Sequence, residues 1–403
     1  MAGAVTSWVR GAAGSGFDVD HLPFGVFAGG HPDGRSRVGT RIGRFALDVG
    51  AVLPAQARLF DVGTLEPFLA AGSHVWSTVR SELTALLTDP DADPLLRPHL
   101  YPLDDVQLLR PVAVGDYVDF YASEHHAAAL GRMFRPGSEP LLPNWKHLPV
   151  GYHGRAGTVV VSGTPIRRPS GQSKPPNTDT PVFGPSDKLD IEAELGFVVG
   201  VGSGQGEPIT VADFASHVFG ACLINDWSAR DIQPWEYVPL GPFVAKSFAT
   251  SMSGWITPLA ALAAARVQPP RRTHPLLPYL ADREPWGLDL TLQIDWNGTD
   301  VGHPPARELY WTGAQMLAQL TVGGASVRPG DLYASGTISG PGPGSAGSFI
   351  ELTRNGAEPV TLADGSRRTF LADGDTVTIN GTVPTATGFL SLGEVSGTVL
   401  AAH

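Results

Sequence analysis

Residues 187–200, DKLDIEAELGFVVG, form an apolar run that carries two acidic side chains in its middle. Because side chains of a strand alternate between its faces, Glu192 and Glu194 project to one side, and Ile191, Ala193 and Leu195 project to the other. A run this apolar predicts a strand buried within a sheet. Two like charges on one buried face need a partner, unless the strand lies at a sheet edge and both carboxylates face solvent.

The rest of the chain predicts a mainly β fold of the α+β class, with many short strands. Gly (49) and Pro (36) are frequent, and β-branched runs occur at residues 158–166, 288–300 and 375–383. Residues 24–30 and 37–50 are typical of hairpin strands. Apolar residues at helical spacing predict helices at residues 65–89 and at 306–324, the second ending at a Gly pair.

The length of 403 residues predicts two domains. Residues 89–116, DPDADPLLRPHLYPLDDVQLLRPVAVGD, are rich in proline and acid, which is typical of a boundary. We therefore expect a first domain at residues 1–115 and a second at residues 116–403.

Charge and composition indicate a cytoplasmic enzyme that acts on a small molecule. With 28 basic and 39 acidic residues, the formal charge of −11 argues against a nucleic-acid partner or an anionic membrane surface. No run approaches the roughly 20 apolar residues of a spanning helix, and the amino-terminal residues lack the pattern of a secretory signal. Cys222 is the single cysteine, so no internal disulfide can form.

Two further acids follow apolar runs, Asp119 in DYVDFYAS and Asp226 in FGACLINDWSARDIQ. Together with Glu192 and Glu194 they predict four converging carboxylates. Repulsion among them in a buried pocket would be severe without a cation. An all-oxygen set favours a hard ion, Mg²⁺ or Ca²⁺, over zinc.

Lys246, one of four lysines, lies in the apolar run VPLGPFVAKSFAT. A cation among apolar neighbours usually has an anionic partner, and we expect a developing oxyanion to be that partner. Arg230 and Gln233 follow Asp226 closely in the sequence, so they are predicted to complete an oxyanion site. A solvent-exposed lysine on a strand is the alternative.

Histidine supplies the expected general base. His125 and His126 follow Asp119 by a few residues in SEHHAAALGRMFR, and the spacing alone does not choose between them.

Other short motifs are absent or incomplete. Gly342, Gly344 and Gly347 match G-x-G-x-x-G, but Pro343 interrupts the match and a strand-like run is predicted to follow where a dinucleotide site needs a helix. The sequence contains no G-x-S-x-G, H-E-x-x-H or S-x-x-K motif.

Three long segments carry a resemblance to a known family: LLPNWKHLPVGYHGRAGTVVVSGTPIRRP, NDWSARDIQPWEYVPLGPFVAKSF and ASGTISGPGPGSAGSFIEL. The chain resembles the fumarylacetoacetate hydrolase (fumarylacetoacetase) family, from LPFGVF near the amino terminus to the last strands. The resemblance implies a small SH3-like β-barrel domain, a larger mixed β-roll catalytic domain and a homodimer.

The resemblance also implies roles for individual residues. The metal ligands would be Asp119, Glu192, Glu194 and Asp226, and the general base would be His126 with Glu351 as its partner. The implied substrate contacts are Tyr121, Arg135, Tyr152, Arg230, Gln233, Lys246 and Thr337. One departure is visible, because the family usually has glutamate where this chain has Gly342.

The implied reaction is the metal-dependent hydrolysis of a carbon–carbon bond in 4-fumarylacetoacetate, the last step of tyrosine and phenylalanine catabolism. His126, oriented by Glu351, would activate water, and Arg230, Gln233 and Lys246 would stabilise the oxyanion. Arg135, Tyr121 and Tyr152 would hold the substrate carboxylate.

Two other classes of function remain open at this point. Members of the wider superfamily act as acylpyruvate hydrolases, oxaloacetate decarboxylases and isomerases, but they generally lack the long amino-terminal domain. A catalytically silent binding protein of the same fold is the other alternative, and the intact His126, Glu351 and Lys246 argue against it.

Overall fold

The computed structural model describes residues 5–31, 33–176, 178–386 and 388–403. Residues 1–4, which begin the stretch in which no export signal is predicted, lie outside the described residues. Over the described ranges, no helix combines the length and the apolar character needed to cross a membrane.

Short strands dominate the secondary structure. In the first half of the chain they are β1 (Phe24–Gly29), β2 (Arg37–Ile42), β3 (Phe45–Asp48), β4 (Leu100–Pro102), β5 (Val106–Leu109), β6 (Tyr117–Phe120), β7 (Gly151–His153), β8 (Val159–Val161), β9 (Ile166–Arg167), β10 (Ser170–Ser173), β11 (Val182–Pro185), β12 (Leu189–Asp190) and β13 (Ala193–Val199). In the second half they are β14 (Val218–Asp226), β15 (Ser228–Ala229), β16 (Thr250–Met252), β17 (Trp255–Pro258), β18 (Arg266–Val267), β19 (Gly287–Leu288), β20 (Thr291–Trp296), β21 (Thr299–Gly302), β22 (Leu332–Ala334), β23 (Val360–Thr361), β24 (Arg367–Arg368), β25 (Thr376–Pro384) and β26 (Phe389–Leu400).

Most of the α-helices are short and lie between strands. They are α1 (Val49–Val52), α2 (Glu66–Ala70), α3 (Gly72–Thr88), α4 (Asp93–Leu96), α5 (Glu124–Phe134), α6 (Phe214–His217), α7 (Gln233–Glu236), α8 (Gly313–Thr321) and α9 (Phe349–Leu352). The prediction of a mainly β fold with some helices is confirmed.

A large mixed sheet organises the molecule. Its main path runs β4-β3-β2-β1-β17-β14-β13-β22-β6-β7, and β5, β8 and β16 pair at its sides. Most pairs are antiparallel, but β22 and β6 run parallel, as do β16 and β8. A second sheet has the order β21-β20-β25-β26-β9.

The strand that contains Glu194 lies inside the large sheet, not at its edge. Strand β13 pairs with β14 on one side and with β22 on the other, and all of its residues are buried. The predicted buried strand is therefore confirmed at residues 193–199. The alternative of an edge strand with solvent-facing carboxylates is wrong.

The two faces of this sheet line two different hydrophobic cores. Leu195, Phe197 and Val199 of β13 pack with Leu223 of β14 in one cluster, in which every buried residue follows residue 117. Val198 packs in the other cluster with side chains from the first part of the chain, among them Phe24 and Leu83. Strands β13 and β14 are thus buried on both sides.

The predicted helices are present but shorter than the apolar spacing suggested. The run at residues 65–89 divides into α2 and α3, because Gly72 adopts φ +83° at the junction and interrupts the helical backbone. In the run at residues 306–324, the helix begins only after Thr312, which forms a capping box with Gln315. The predicted hairpin strands at residues 24–30 and 37–50 are confirmed as β1, β2 and β3.

The division at residue 115 stays a prediction. Strands β1 to β5 pair among themselves, and β1 also pairs with β17, so the large sheet continues across that position. No pairing joins β4 to β5 among the described residues, and these strands form an open sheet.

Candidate active site

Four buried carboxylates meet at one end of the central strands. Asp119 lies on β6, Glu194 on β13 and Asp226 at the end of β14, while Glu192 lies just before β13. Each of the four offers an oxygen, and these oxygens lie within 4.8 Å of one another. The four side chains predicted to converge are therefore brought together.

The strand register explains this convergence. Asp119 lies opposite Ala334 of β22, which in turn lies opposite Gly196 of β13. Residues directly opposite each other share a face, so on this side of Asp119 only a methyl group and a hydrogen atom occupy the row, while Tyr152 of β7 lies opposite Asp119 on the other side. A Cβ atom added to Gly196 would come within 2.7 Å of the Ile224 side chain. Glycine at this position keeps space beside the carboxylates.

Two buried cations touch the cluster. Lys246 Nζ bonds Glu192 and lies 2.7 Å from Asp226 Oδ2, and Arg230 Nη2 lies 2.8 Å from Glu192 Oε1. Lys246 thus has the anionic partners that a buried cation needs, in the carboxylates of Glu192 and Asp226, and its contact with a developing oxyanion stays a prediction. The alternative of a solvent-exposed Lys246 is wrong, since only 6% of the residue is exposed.

The carboxylates differ sharply in their electrostatic environment. Burial alone would raise the pKa of Glu192, but Lys246 and Arg230 hold that pKa well below its usual value. Burial raises the pKa of Glu194 well above its usual value, and Asp119, Glu192 and Asp226 raise it further. The described cations therefore stabilise Glu192 and leave a negative site around Glu194.

The unpaired oxygens of this site fit a cation. Asp119 Oδ1 and both carboxylate oxygens of Glu194 are buried, and none of them has a hydrogen-bond partner. Buried carboxylate oxygens without partners are costly unless a charge compensates them. Several carboxylate ligands and no histidine or cysteine suit a hard divalent cation.

His126 lies next to the carboxylates on α5. Ser123 caps this helix by accepting a hydrogen bond from the His126 backbone N–H (3.3 Å), and the His126 side chain is buried. Its Nδ1 lies 2.6 Å from Glu351 Oε2, and its Nε2 lies 4.0 Å from Glu192 Oε1. Because Glu351 accepts the Nδ1 proton, the lone pair is assigned to Nε2, which faces the carboxylates.

His125 has a different environment. Its side chain is partly exposed, and its Nε2 lies 3.7 Å from Glu308 Oε2, outside the carboxylate cluster. Of the two histidines that their spacing left open, His126 lies beside the carboxylates and His125 does not.

Glu351 is held by hydroxyl groups as well as by His126. Ser348 Oγ (2.7 Å) and Ser339 Oγ (3.0 Å) both donate hydrogen bonds to Glu351 Oε2. Burial alone would raise the pKa of Glu351, but His126 and the two hydroxyls lower it below its usual value. Glu351 therefore stays ionised and orients the imidazole.

The segment that carries Glu351 corrects one prediction. The run after Gly347 was predicted to be strand-like, but Phe349–Leu352 forms the single helical turn α9. The carboxylate of Asp190, distant in sequence, accepts hydrogen bonds from the first two N–H groups of this turn. A contact of this kind cannot be predicted from local spacing. A four-residue turn is still no dinucleotide site.

The predicted substrate contacts surround the same region. The Tyr121 ring packs edge-on against His126, with centroids 5.5 Å apart, and Gln233 Oε1 accepts a hydrogen bond from Arg230 Nη1 (3.1 Å). Thr337 Oγ1 and Arg135 Nε are buried without a hydrogen-bond partner. Such groups are available to a ligand.

Gly342 lies apart from these contacts. The residue is exposed, and a Cβ added there would meet no atom within 4 Å. Its carbonyl accepts hydrogen bonds from the Ser345 backbone N–H and hydroxyl, which closes a local turn.

A cavity of about 180 Å³ opens onto the cluster. Its wall includes Tyr117, Tyr152, Arg155, Asp226, Lys246 and Thr250. A larger cavity of about 490 Å³ lies beside Ile209 and Trp286, but none of the four carboxylates lines it. Of these two cavities, the smaller one is therefore the one that reaches the carboxylate cluster.

Several polar residues of the site were not found by the sequence reasoning. They are Tyr117, Asp190, Thr250, Ser339 and Ser348. Period-2 alternation along β6 places Tyr117 on the same face as Asp119 and was the available signal for it. The others approach through tertiary contacts that have no local pattern.

Comparison with family models covers most of the chain. The model described as the fumarylacetoacetate hydrolase C-terminal region matches residues 117–399, and the fumarylacetoacetase N-terminal model matches residues 20–111.

Curated fumarylacetoacetases are similar to this chain over nearly its full length. Fumarylacetoacetase from Homo sapiens is 43% identical over 423 residues, which cover 98% of this chain and 99% of that protein. Fumarylacetoacetase from Arabidopsis thaliana is 44% identical over 399 residues and covers 93% of each chain.

Among solved structures, the fumarylacetoacetate hydrolase of Exiguobacterium antarcticum superposes with a TM-score of 0.55 at 18% identity, covering 94% of this chain and 99% of that one. Maleylpyruvate hydrolase from Sphingobium sp. SYK-6 gives a TM-score of 0.53 at 16% identity, with 94% and 100% covered. These two structures show that the fold is shared. Together with the family models and the full-length relatives, they lead to one conclusion: this chain belongs to the fumarylacetoacetate hydrolase family.

Proposed function

We propose that this protein hydrolyses a carbon–carbon bond of 4-fumarylacetoacetate and yields fumarate and acetoacetate, the last step of tyrosine and phenylalanine catabolism. The observation that carries the proposal is the buried His126–Glu351 pair, whose free imidazole nitrogen faces a cluster of four carboxylates. The full-length similarity to fumarylacetoacetases supports the choice of substrate.

His126 is the general base of the proposed reaction. Its Nε2 accepts a proton from water, whose oxygen attacks the carbonyl carbon on the fumaryl side. Glu351 holds the Nδ1 proton and stabilises the imidazolium that forms. The carbon–carbon bond then breaks, its electron pair stays on the acetoacetate carbon, and that carbon takes up a proton.

Charged groups stabilise the developing negative charge. Arg230, Gln233 and Lys246 are proposed to stabilise the tetrahedral oxyanion, and the first two are linked by a hydrogen bond. A divalent cation bound by Asp119, Glu192, Glu194 and Asp226 would supply positive charge for the electron pair of the leaving carbon.

Arg135 and the hydroxyls of Tyr121 and Tyr152 are proposed to hold the substrate carboxylate, with Thr337 as a further substrate contact. Of these residues, Arg135 Nε and Thr337 Oγ1 are buried without a hydrogen-bond partner and are free to bind a ligand. Burial raises the pKa of Tyr121 and of Tyr152, so both phenols remain protonated donors. Gly342 is exposed and is not part of this set.

We propose Mg²⁺ or Ca²⁺ as the resident ion, since both prefer carboxylate oxygens. The test is the loss of the diketone absorbance of fumarylacetoacetate before and after chelation, with each ion added back separately. Metal-dependent release of fumarate and acetoacetate supports the proposal and ranks the ions. Activity on acylpyruvates or oxaloacetate without cleavage of fumarylacetoacetate would contradict it.

We also propose a homodimer. Seven exposed large apolar side chains come from two segments, and some of them line a shared surface cavity: Val182, Phe183, Trp235, Val238, Leu240, Phe243 and Val244. Apolar surface of this kind is typical of protein interfaces. Leu240→Asp should reduce the mass measured by light scattering to that of a monomer. Leu277→Asp, an exposed leucine elsewhere in the sequence, is the matched control and should leave a dimer.

We also propose a division into two domains and a cytoplasmic location. We propose domains at residues 1–115 and 116–403, the first an SH3-like β-barrel that is left open between β4 and β5, and the second a β-roll. The antiparallel pairing of β1, β2, β3 and β5 and a core composed only of residues after 117 support this division. The single, buried Cys222 supports a cytoplasmic location.

A further inference from the structure

Asp190, on β12, is fully buried and accepts four hydrogen bonds. Its Oδ1 accepts the backbone N–H groups of Phe349 (2.7 Å) and Ile191 (2.8 Å). Its Oδ2 accepts Arg230 Nε (2.7 Å) and the backbone N–H of Ile350 (3.1 Å). The two oxygens therefore connect two separate parts of the site.

The first part is α9, which carries Glu351. A helix of four residues is unstable by itself. The preceding residue, Ser348, accepts no hydrogen bond from a backbone N–H of this turn, and its hydroxyl donates to the Glu351 side chain. Asp190 supplies the missing acceptor from another segment of the chain, and so determines where Glu351 meets His126.

The second part is the Arg230 guanidinium. Asp190 binds its Nε, while Nη1 donates to Gln233 and Nη2 lies beside Glu192. A planar guanidinium held at one edge has a defined direction for its other nitrogens. The contact with Asp190 therefore orients the donors that face the site.

We propose that Asp190 is a positioning residue that holds the His126–Glu351 pair and Arg230 in a fixed relation. This inference rests on the proposed function for its kinetic readout, but its structural part stands independently. Small errors in the placement of a general base or an oxyanion donor reduce turnover strongly.

The test compares two buried carboxylates in matched variants. Asp190→Asn retains an acceptor for Phe349 but places an amide donor beside Arg230 Nε or the Ile350 N–H. We expect kcat to fall about 10²-fold or more, KM to change less than kcat, and cation affinity to stay within about threefold.

Asp331→Asn is the control. Asp331 is buried and accepts a hydrogen bond from the Arg328 N–H (2.8 Å), and its carbonyl accepts the N–H of Val199, at the end of β13 that lies away from Glu194. This control substitution should lower the stability of the fold and leave kcat unchanged. An equal loss of kcat in both variants would overturn the proposal, because it would indicate a general effect of destabilisation.

Two further measurements keep the test decisive. If Asp190→Asn fails to fold, Asp190→Glu retains the charge but displaces the carboxylate, and we again expect a fall in kcat. In a double-mutant cycle, Asp190→Asn should cost less in a Glu351→Gln background than in the wild type. Fully multiplicative effects, or wild-type kcat in both Asp190 variants, would overturn the proposal.

Hydrogen exchange separates this inference from the proposed function. The amides of Phe349 and Ile350 should exchange faster in the Asp190 variants than in the wild type and in Asp331→Asn, whatever substrate the enzyme uses. Unchanged exchange at these two amides would contradict the positioning role, even if fumarylacetoacetate is cleaved. Faster exchange without any fumarylacetoacetate turnover in the wild type would leave the positioning contact established and reject the proposed substrate.

Discussion

The two faces of strands β13 and β14 are both buried but differ in what they bury: one buries an apolar core, and the other carries carboxylates at one end. On one face Leu195, Phe197 and Leu223 pack in an apolar core. On the other face Val198 and Cys222 are followed by Glu194 and Asp226 toward one end of the strands. The first face contributes stability, whereas the second combines stability with a charged site that costs free energy until a cation compensates it.

Two buried carboxylates can still differ in whether a neighbouring cation compensates their charge. Glu192 and Glu194 are both buried, yet Glu192 contacts Lys246 and Arg230 while the oxygens of Glu194 have no hydrogen-bond partner. A fold selected only for stability would replace such a carboxylate by an apolar side chain. We infer that Glu194 is retained for binding.

The largest expected effect separates two roles on the charged face. His126→Ala should lower turnover about 10³-fold or more and keep cation affinity, because in the proposed reaction His126 acts on water and is not a ligand. Glu194→Ala should lose both turnover and cation binding. Calorimetric titration measures the affinity, and equal loss of binding in the two variants would refute this division.

The next prediction concerns the apolar face beside Glu194. Leu195→Ala should lower the free energy of unfolding by about 2–5 kcal/mol, because it leaves a cavity in a packed core. Cation affinity should stay close to that of the wild type, since Leu195 points away from the carboxylates. Denaturant unfolding and calorimetry check the two parts. A loss of affinity as large as the one in Glu194→Ala would remove the distinction between the faces.

A pH dependence arises from a buried histidine that bridges the first part of the chain and the sheet. His21 Nδ1 donates to the Gly16 carbonyl (2.9 Å), and its Nε2 accepts from Thr257 Oγ1 (2.9 Å). Burial lowers the pKa of His21 to about 3. The unfolded state therefore binds a proton near pH 6.5 while the folded state does not, so the stabilising contribution of neutral His21 is lost as the pH falls from about 6.5 towards 3.

Urea unfolding at pH 7 and pH 5 measures this effect. The His21 contribution should decrease by about 2 kcal/mol between the two values. His21→Gln should be less stable at pH 7 but should lose less stability on acidification than the wild type. Identical pH slopes for the two proteins would show that His21 titrates normally in the folded state.

The smallest effect is expected at Gly342, which lies on neither face of strands β13 and β14. Gly342→Glu should change kcat/KM by less than about twofold, because the position is exposed and the added side chain meets no neighbour. Steady-state kinetics check this. A change of more than tenfold would place the Gly342 turn in the substrate site.

The parts of the fold and of the site that could be predicted from the sequence are those determined by residues close together in the chain. Alternation along residues 191–195 correctly predicted which side chains share a face, and the four carboxylates do converge. Local spacing failed where tertiary contacts decide: the run after Gly347 is a helical turn whose first N–H groups donate to Asp190, and the contact of Lys246 with Asp226 was not predicted. It also could not distinguish His125 from His126, because their difference lies in burial and in a partner 225 residues away.

Glu194→Gln tests the central claim, that this face is a cation site, most directly. The pKa of Glu194 is raised, so the ionised carboxylate costs stability above its unfolded pKa of about 4.5 when no cation is bound. Unfolding of the wild type and of Glu194→Gln is measured at pH 7, first with a chelator and then with saturating Mg²⁺ or Ca²⁺. We predict that the variant is the more stable protein with the chelator and the less stable one with the cation. The same order of stability under both conditions would contradict a cation site at this cluster.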